Sequence, residues 1–182
     1  MPQTLSMDGF ANLVPALLAC FIVLLTHAGF ALFETGLCRA KNASHTMAMN
    51  VLAFPLGLFG LFVCGFAFMY GGSRAASGLD RWLIHIGHWG VLGARGFFLH
   101  EQSANPVILL LFFLTMARLN IAVAIPAGAL AERWRIKSFI NFSLLVTAVL
   151  CPVYGCWVWG GGWIAQLGEK LHWGHGGVDY AG

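Results

Sequence analysis

The stretch Phe112–Phe139, FFLTMARLNIAVAIPAGALAERWRIKSF, decides how the rest of the chain is read. It holds an apolar run long enough to cross a bilayer, a lone Arg118 near the middle and a charged exit at Glu132-Arg133. A spanning helix needs about 20 mostly apolar residues. Composition extends the reading to the whole chain: of 182 residues 59% are hydrophobic and 9% charged, with a mean hydropathy of +0.77. Soluble domains carry about 25% charged residues, so the setting is lipid. The expected fold class is all-α, a polytopic helical membrane protein. A formal charge of +3, thinly scattered, gives no case for nucleic acid and leaves the basic residues to mark topology.

On either side of this stretch the hydrophobic runs predict spans at about 10–37, 47–70, 106–131 and 139–159, with a fifth helix starting near 178. Pro55 and the glycines at 57, 60 and 65 would weaken a soluble helix. In a bilayer they are tolerated, and small residues let helices approach closely. Ser73–Asn105 is too polar to span; its Trp82–Trp89 part is expected to lie on the membrane surface as a short amphipathic helix. On such a helix His85 and His88 would share a face, the spacing of two metal ligands, but no third ligand accompanies them. The residues from Trp163 onward read as a polar loop.

The five cysteines, at 20, 38, 64, 151 and 156, form no CxxC pair and read as small buried hydrophobes. Met1–Gly9 contains Asp8 and neither Lys nor Arg, the wrong flank for a cleaved signal, so the first apolar run is expected to be retained. Arg39 and Lys41 follow the first span; Arg133, Arg135 and Lys137 follow the third. The positive-inside rule puts both turns in the cytoplasm and the N-terminus outside. Three arginines spread over the loop after the second span argue weakly the other way.

No nucleophile–base pair, phosphate loop, zinc signature or dinucleotide fingerprint is present, so neither enzyme chemistry nor a cofactor is expected. Polar residues within apolar helices instead suggest an ion or solute pathway. Glu34 lies five residues inside Arg39, roughly 7.5 Å of helix, within reach of a neighbouring helix's polar group. A structural hydrogen bond is the leading reading of it, a proton relay the other.

Four ordered blocks carry a family resemblance. GFALFETGLCRAKNASHTMAMN (Gly29–Asn50), GALAERWRIKSF (Gly128–Phe139), VYGCWVWGGGW (Val153–Trp163) and GHGGVDYAG (Gly174–Gly182) resemble successive helix junctions of ammonium transporters of the Amt/Mep/Rh family. The resemblance implies eleven helices, an inverted repeat, a homotrimer with one pore per subunit, and uptake of ammonium or ammonia across a cell membrane. A cytoplasmic regulatory protein is a further implied partner, beside the lipid bilayer. Trp159 matches the tryptophan of the outer vestibule, where an aromatic face attracts a cation by about 0.5–2 kcal/mol. Asp179 matches the acid near the start of the fifth helix, which supports that recruitment site. Without the resemblance, Trp159 reads as an interfacial anchor.

Two departures from the pattern bear on activity. Arg118 occupies the position of an outer-gate phenylalanine, Thr115 stands where a glutamine is common, and Asn120 where relatives often carry Asp. A guanidinium at that depth costs about 2.5–3.5 kcal/mol on insertion scales. Facing the pore, it would repel an ammonium ion by about 4 kcal/mol at about 4 Å and an effective dielectric of ~20, roughly a thousandfold in occupancy. Pointing away from the pore, it would not. The second departure is the end at Gly182, before the pore histidines of the family pattern; none of the seven histidines matches them. A chain complete at that point is expected not to transport alone, since both inverted halves line such a pore. The expected function is therefore ammonium transport by the first four helices and the start of the fifth of a longer protein. The alternative is a non-conducting ammonium-sensing or structural subunit whose outer gate Arg118 alters.

Overall fold

The computed structural model describes residues 7–72, 83–100, 105–172, 174, 176–177 and 179. Helix α1, Met7–Leu37, presents Cys20, His27, Ala31 and Glu34 inward at helical spacing. Its other face exposes Leu18, Phe21, Ile22, Leu25, Leu32 and Phe33, as lipid or further helices require. Helix α2 begins at Ala40, runs to Gly60, widens into a π-helical turn at Leu61–Gly65 and ends as Phe66–Tyr70. The helix thus starts earlier than the apolar run does. Lys41–His45 are polar but helical, and the first free N–H, on Arg39, is met from another loop by the Glu132 carboxylate at 2.8 Å.

Helix α3, Pro106–Ala129, opens with Asn105 as its cap: the Asn105 side chain accepts from the Val107 N–H at 3.0 Å, and Pro106 takes the first helical position. Helix α4 comprises Ile136–Leu145, a π-helical turn at Val146–Leu150, and Cys151–Val158. Pro152 explains that turn. A proline cannot bond the carbonyl four residues back and its ring crowds it, so the helix widens there. The freed carbonyl, Ala148 O, receives the Cys64 thiol of α2 at 3.7 Å.

The helices pack through the glycines of α2. A Cβ on Gly57 would meet the Asn120 side chain of α3, one on Gly60 the Thr147 hydroxyl of α4, and one on Gly65 the Thr147 carbonyl at 2.6 Å. Two apolar clusters fill the interior. Met49, Ala53, Val123, Ala127, Phe139 and Val146 occupy the end near Arg39. Leu61, Phe66, Met69, Tyr70, Ile108 and Met116 occupy the other. Among the described residues, four segments are long and apolar enough to cross a membrane: Val14–Leu37, Ala40–Tyr70, Pro106–Ala129 and Ile136–Gly168. The chain is a polytopic helical membrane protein.

Two local expectations fail. Instead of a surface helix, Leu83–Ile86 (β1) and Trp89–Gly93 (β2) form an antiparallel hairpin. Ile84 and Ile86 favour strand, and Gly87 at φ +64 supplies the left-handed residue that a two-residue primed turn demands. Trp82 and Val178, where the fifth helix was placed, lie outside the described residues. The segment after α4 is not all loop: Trp163–Lys170 forms helix α5, held by Trp163 against Trp157 and by Gln166 Nε2 donating to Gly161 O at 2.7 Å.

Candidate functional site

The end of the bundle away from Arg39 is built around the terminus of α4. Trp159 is its C-cap residue, and its N–H donates to Gly155 O at 2.7 Å. The chain turns at Gly160–Gly162, with Gly161 at φ +80, and Gly162 N–H reaches back to Cys156 O at 2.9 Å. A Cβ on Gly160 would strike the Met69 carbonyl of α2, so this turn closes directly against its neighbour. Trp157 Nε1 donates to Val91 O at 2.9 Å, which ties the hairpin to α4. The ring of Trp159 stays half-buried against the apolar cluster that holds Leu61 and Phe66.

Arg118 meets that ring. Its guanidinium carbon lies 5.7 Å from the Trp159 ring centroid, inside cation–π range. The same residue borders a cavity of about 580 Å³ between α1 and α3, otherwise lined by apolar side chains and Cys20. Arg118 forms no ion pair among the described residues. Trp159 therefore offsets about 0.5–2 of the about 2.5–3.5 kcal/mol that a charge at the centre of a spanning helix costs. One turn earlier, Thr115 turns inward and its hydroxyl donates to Leu111 O at 2.7 Å. Asp179, the other residue singled out, lies exposed in the coil after α5.

At the opposite, basic end a second polar group is buried. Glu34 is 7% exposed, and its Oε2 accepts from Asn50 Nδ2 at 2.9 Å. This is the hydrogen bond to a neighbouring helix that the sequence suggested. Asn50 Nδ2 also reaches Thr46 O at 3.3 Å, and His27 Nε2 lies 3.2 Å from Asn50 O. Asn50 and His27 were missed; polar side chains in otherwise apolar helices were the available signal. Asn120 is also fully buried, and among the described residues neither of its side-chain amide atoms finds a partner.

The basic end is closed by one acid. Glu132, at φ +67 in the turn after α3, accepts from Arg39 Nε at 2.9 Å and pairs with the second guanidinium nitrogen at 2.7 Å. The Arg39 side chain first, then its backbone N–H, hold the Glu132 carboxyl down at about 2. Reciprocally, Glu132 raises the Arg39 guanidinium. His45 Nε2 of α2 lies 3.0 Å from Trp134 O and ties the start of that helix to the same turn after α3. His85 and His88, now on a hairpin, are exposed, and among the described residues no three His, Cys, Asp or Glu gather as metal ligands.

The comparisons with known proteins agree on one family. The profile of the Ammonium Transporter Family matches residues 14–182. Ammonium transporter Amt2 of Archaeoglobus fulgidus is 35% identical over 174 residues, 94% of this chain and 34% of that protein. Ammonium transporter 1 member 3 of Solanum lycopersicum is 31% identical over 173 residues, again 94% of this chain and 34% of the relative. Among solved structures, one titled Sensor Amt Protein superposes with a TM-score of 0.72 at 26% identity, covering 86% of this chain and 37% of its own. The chain thus spans about a third of the length of the curated relatives it matches. With its long apolar helices, and a family profile met from the first span to the last residue, the chain belongs to the Ammonium Transporter Family.

Proposed function

We propose that this chain serves transmembrane ammonium transport, with Trp159 as the aromatic face that receives the cation and Asp179 supporting it. The observation that carries this reading is the Arg118 guanidinium on the Trp159 ring: the face already accommodates a cation, the chain's own. Relatives named ammonium transporters across archaea and plants support the substrate class. The proposed setting is a cell membrane with the N-terminus outside. In support, the turns carrying Arg39, Lys41, Arg133, Arg135 and Lys137 are tied to one another by Glu132, so these cations share one side. A homotrimer, and a regulatory protein on the cytoplasmic side, belong to the same proposal.

A second reading is favoured by that same contact. Arg118 competes with an incoming ammonium ion for the ring and repels it, which makes the site a detector or a closed gate rather than a conduit; one similar solved structure is titled a sensor. Ammonium uptake by cells expressing the full-length chain, with Arg118 and with Arg118→Phe, separates the two. Robust uptake in both sustains transport and removes the blocked gate. Uptake that appears only with Arg118→Phe establishes the block. No uptake and no ammonium binding by either would remove ammonium handling altogether.

A further inference from the structure

At the basic side the ends of α1 and α3 frame a cleft of about 670 Å³, in the range of pockets that hold small ligands. Its chemistry changes along the bundle axis. The walls are Phe30, Phe33 and Leu37 of α1 with Ile125 and Ala129 of α3, and all but Phe30 are exposed. At the mouth stand Arg39 and Arg133, both exposed. Two acids also line the cleft, and both are engaged. Glu132 pairs with Arg39; Glu34 is buried, its carboxyl held by Asn50 and packed against Gly128. Arg39 gives Nε and Nη2 to Glu132, and its Nη1 has no hydrogen bond among the described residues. Arg133 forms no ion pair among them, and neither do Lys41, Arg135 and Lys137, exposed on the same two turns.

An anionic phospholipid matches this layout. Its acyl chains need apolar walls at hydrocarbon depth and its phosphate needs N–H donors at the helix ends, the order in which the cleft supplies them. Guanidinium groups bind phosphate oxygens through paired N–H bonds, and basic pockets between spanning helices hold anionic headgroups. On the two turns five cations, Arg39, Lys41, Arg133, Arg135 and Lys137, face one acid, Glu132, a net charge of +4. A purely apolar occupant would leave this charge unmatched, and a soluble anion would leave the apolar walls bare. We infer that the α1–α3 cleft is a binding site for an anionic phospholipid, its phosphate on Arg133 and the free edge of Arg39, an acyl chain along Phe33, Leu37 and Ile125. In the orientation proposed above this lipid belongs to the cytoplasmic leaflet. The site rests on geometry and charge and is independent of the ammonium reading.

The test is calorimetric titration of short-chain phosphatidylglycerol into the full chain in a neutral detergent, beside phosphatidylcholine of the same chain length and free glycerol phosphate. Arg133→Gln removes a cation at the mouth; Ala129→Phe fills the cleft from an exposed position without touching charge. Lys137→Gln removes a cation of the same basic end that does not line the cleft. The expected result is saturable binding of phosphatidylglycerol, with phosphatidylcholine and glycerol phosphate each about fivefold weaker or more. Arg133→Gln and Ala129→Phe should each weaken phosphatidylglycerol about fivefold or more, and Lys137→Gln by less than about twofold. Equal losses in Arg133→Gln and Lys137→Gln, with none in Ala129→Phe, would replace the site by diffuse attraction to the basic end. Equal affinity for phosphatidylcholine would overturn the anionic class, and equal affinity for glycerol phosphate the lipid source. No binding of phosphatidylglycerol by wild type would overturn the site altogether, the outcome expected if a further helix covers the cleft.

Discussion

Arg118 lies midway along an apolar helix long enough to span a membrane, where a charge is costly, and Trp159 returns only part of that penalty. A double-mutant cycle with Arg118→Met and Trp159→Leu, read from thermal unfolding of the purified protein, should give a coupling of about 0.5–2 kcal/mol. Arg118→Met alone should leave stability unchanged or raise it, because the loss of desolvation exceeds the loss of the ring contact. A coupling near zero would mean that the contact contributes nothing in lipid. The arginine was legible in the sequence because a lone charge in an apolar run is visible at a glance. Its partner was not. Nothing local in the chain says that a tryptophan at the end of the next helix will lie at the same depth and on the same side. Glu34 behaves alike: reach to a neighbouring helix could be read from its depth, but Asn50 as the partner follows only from how α1 and α2 pack.

At the scale of elements, the glycines of α2 set how near α3 and α4 come. Gly60→Ala places a methyl on the Thr147 hydroxyl and should destabilise by about 1–3 kcal/mol; pairing it with Thr147→Ala should recover part of this, measured by the same unfolding assay. The turns obey charge as well as space. Glu132 has its carboxyl lowered from 4.5 to about 2 by Arg39, so its contribution is fully present above pH 4.5 and disappears as the pH falls through about 2. Wild type should lose thermal stability across that window, and Glu132→Gln should lack that share of the loss and be the less stable protein above it. Helices of twenty apolar residues are conspicuous in sequence, which is why the spans were. The hairpin was not, since a few residues of Ile, His and Trp fit both a strand and an amphipathic turn, and Gly87 decides between them.

For the molecule as a whole, the two basic turns lie on one side and the hairpin with α5 on the other end of the bundle. In cells expressing the chain with Cys38→Ser, a membrane-impermeant thiol reagent should label His88→Cys directly and Ser138→Cys only after permeabilisation; the opposite pattern would invert the topology. The apolar outer faces of α1 set what this arrangement needs around it, namely lipid or further helices. The bond between Glu132 and the Arg39 N–H also has a bearing on how the protein is made. The acceptor is encoded 93 residues after the donor. At about 5–20 residues per second of synthesis, the Arg39 N–H that opens α2 waits roughly 5–20 seconds before its acceptor is made. In that interval the first helical hairpin must be held in the bilayer by its apolar length alone. The arrival of residue 132 then fastens the earlier pair of helices to the later one, making the link a checkpoint of assembly order as well as a contact of the finished fold.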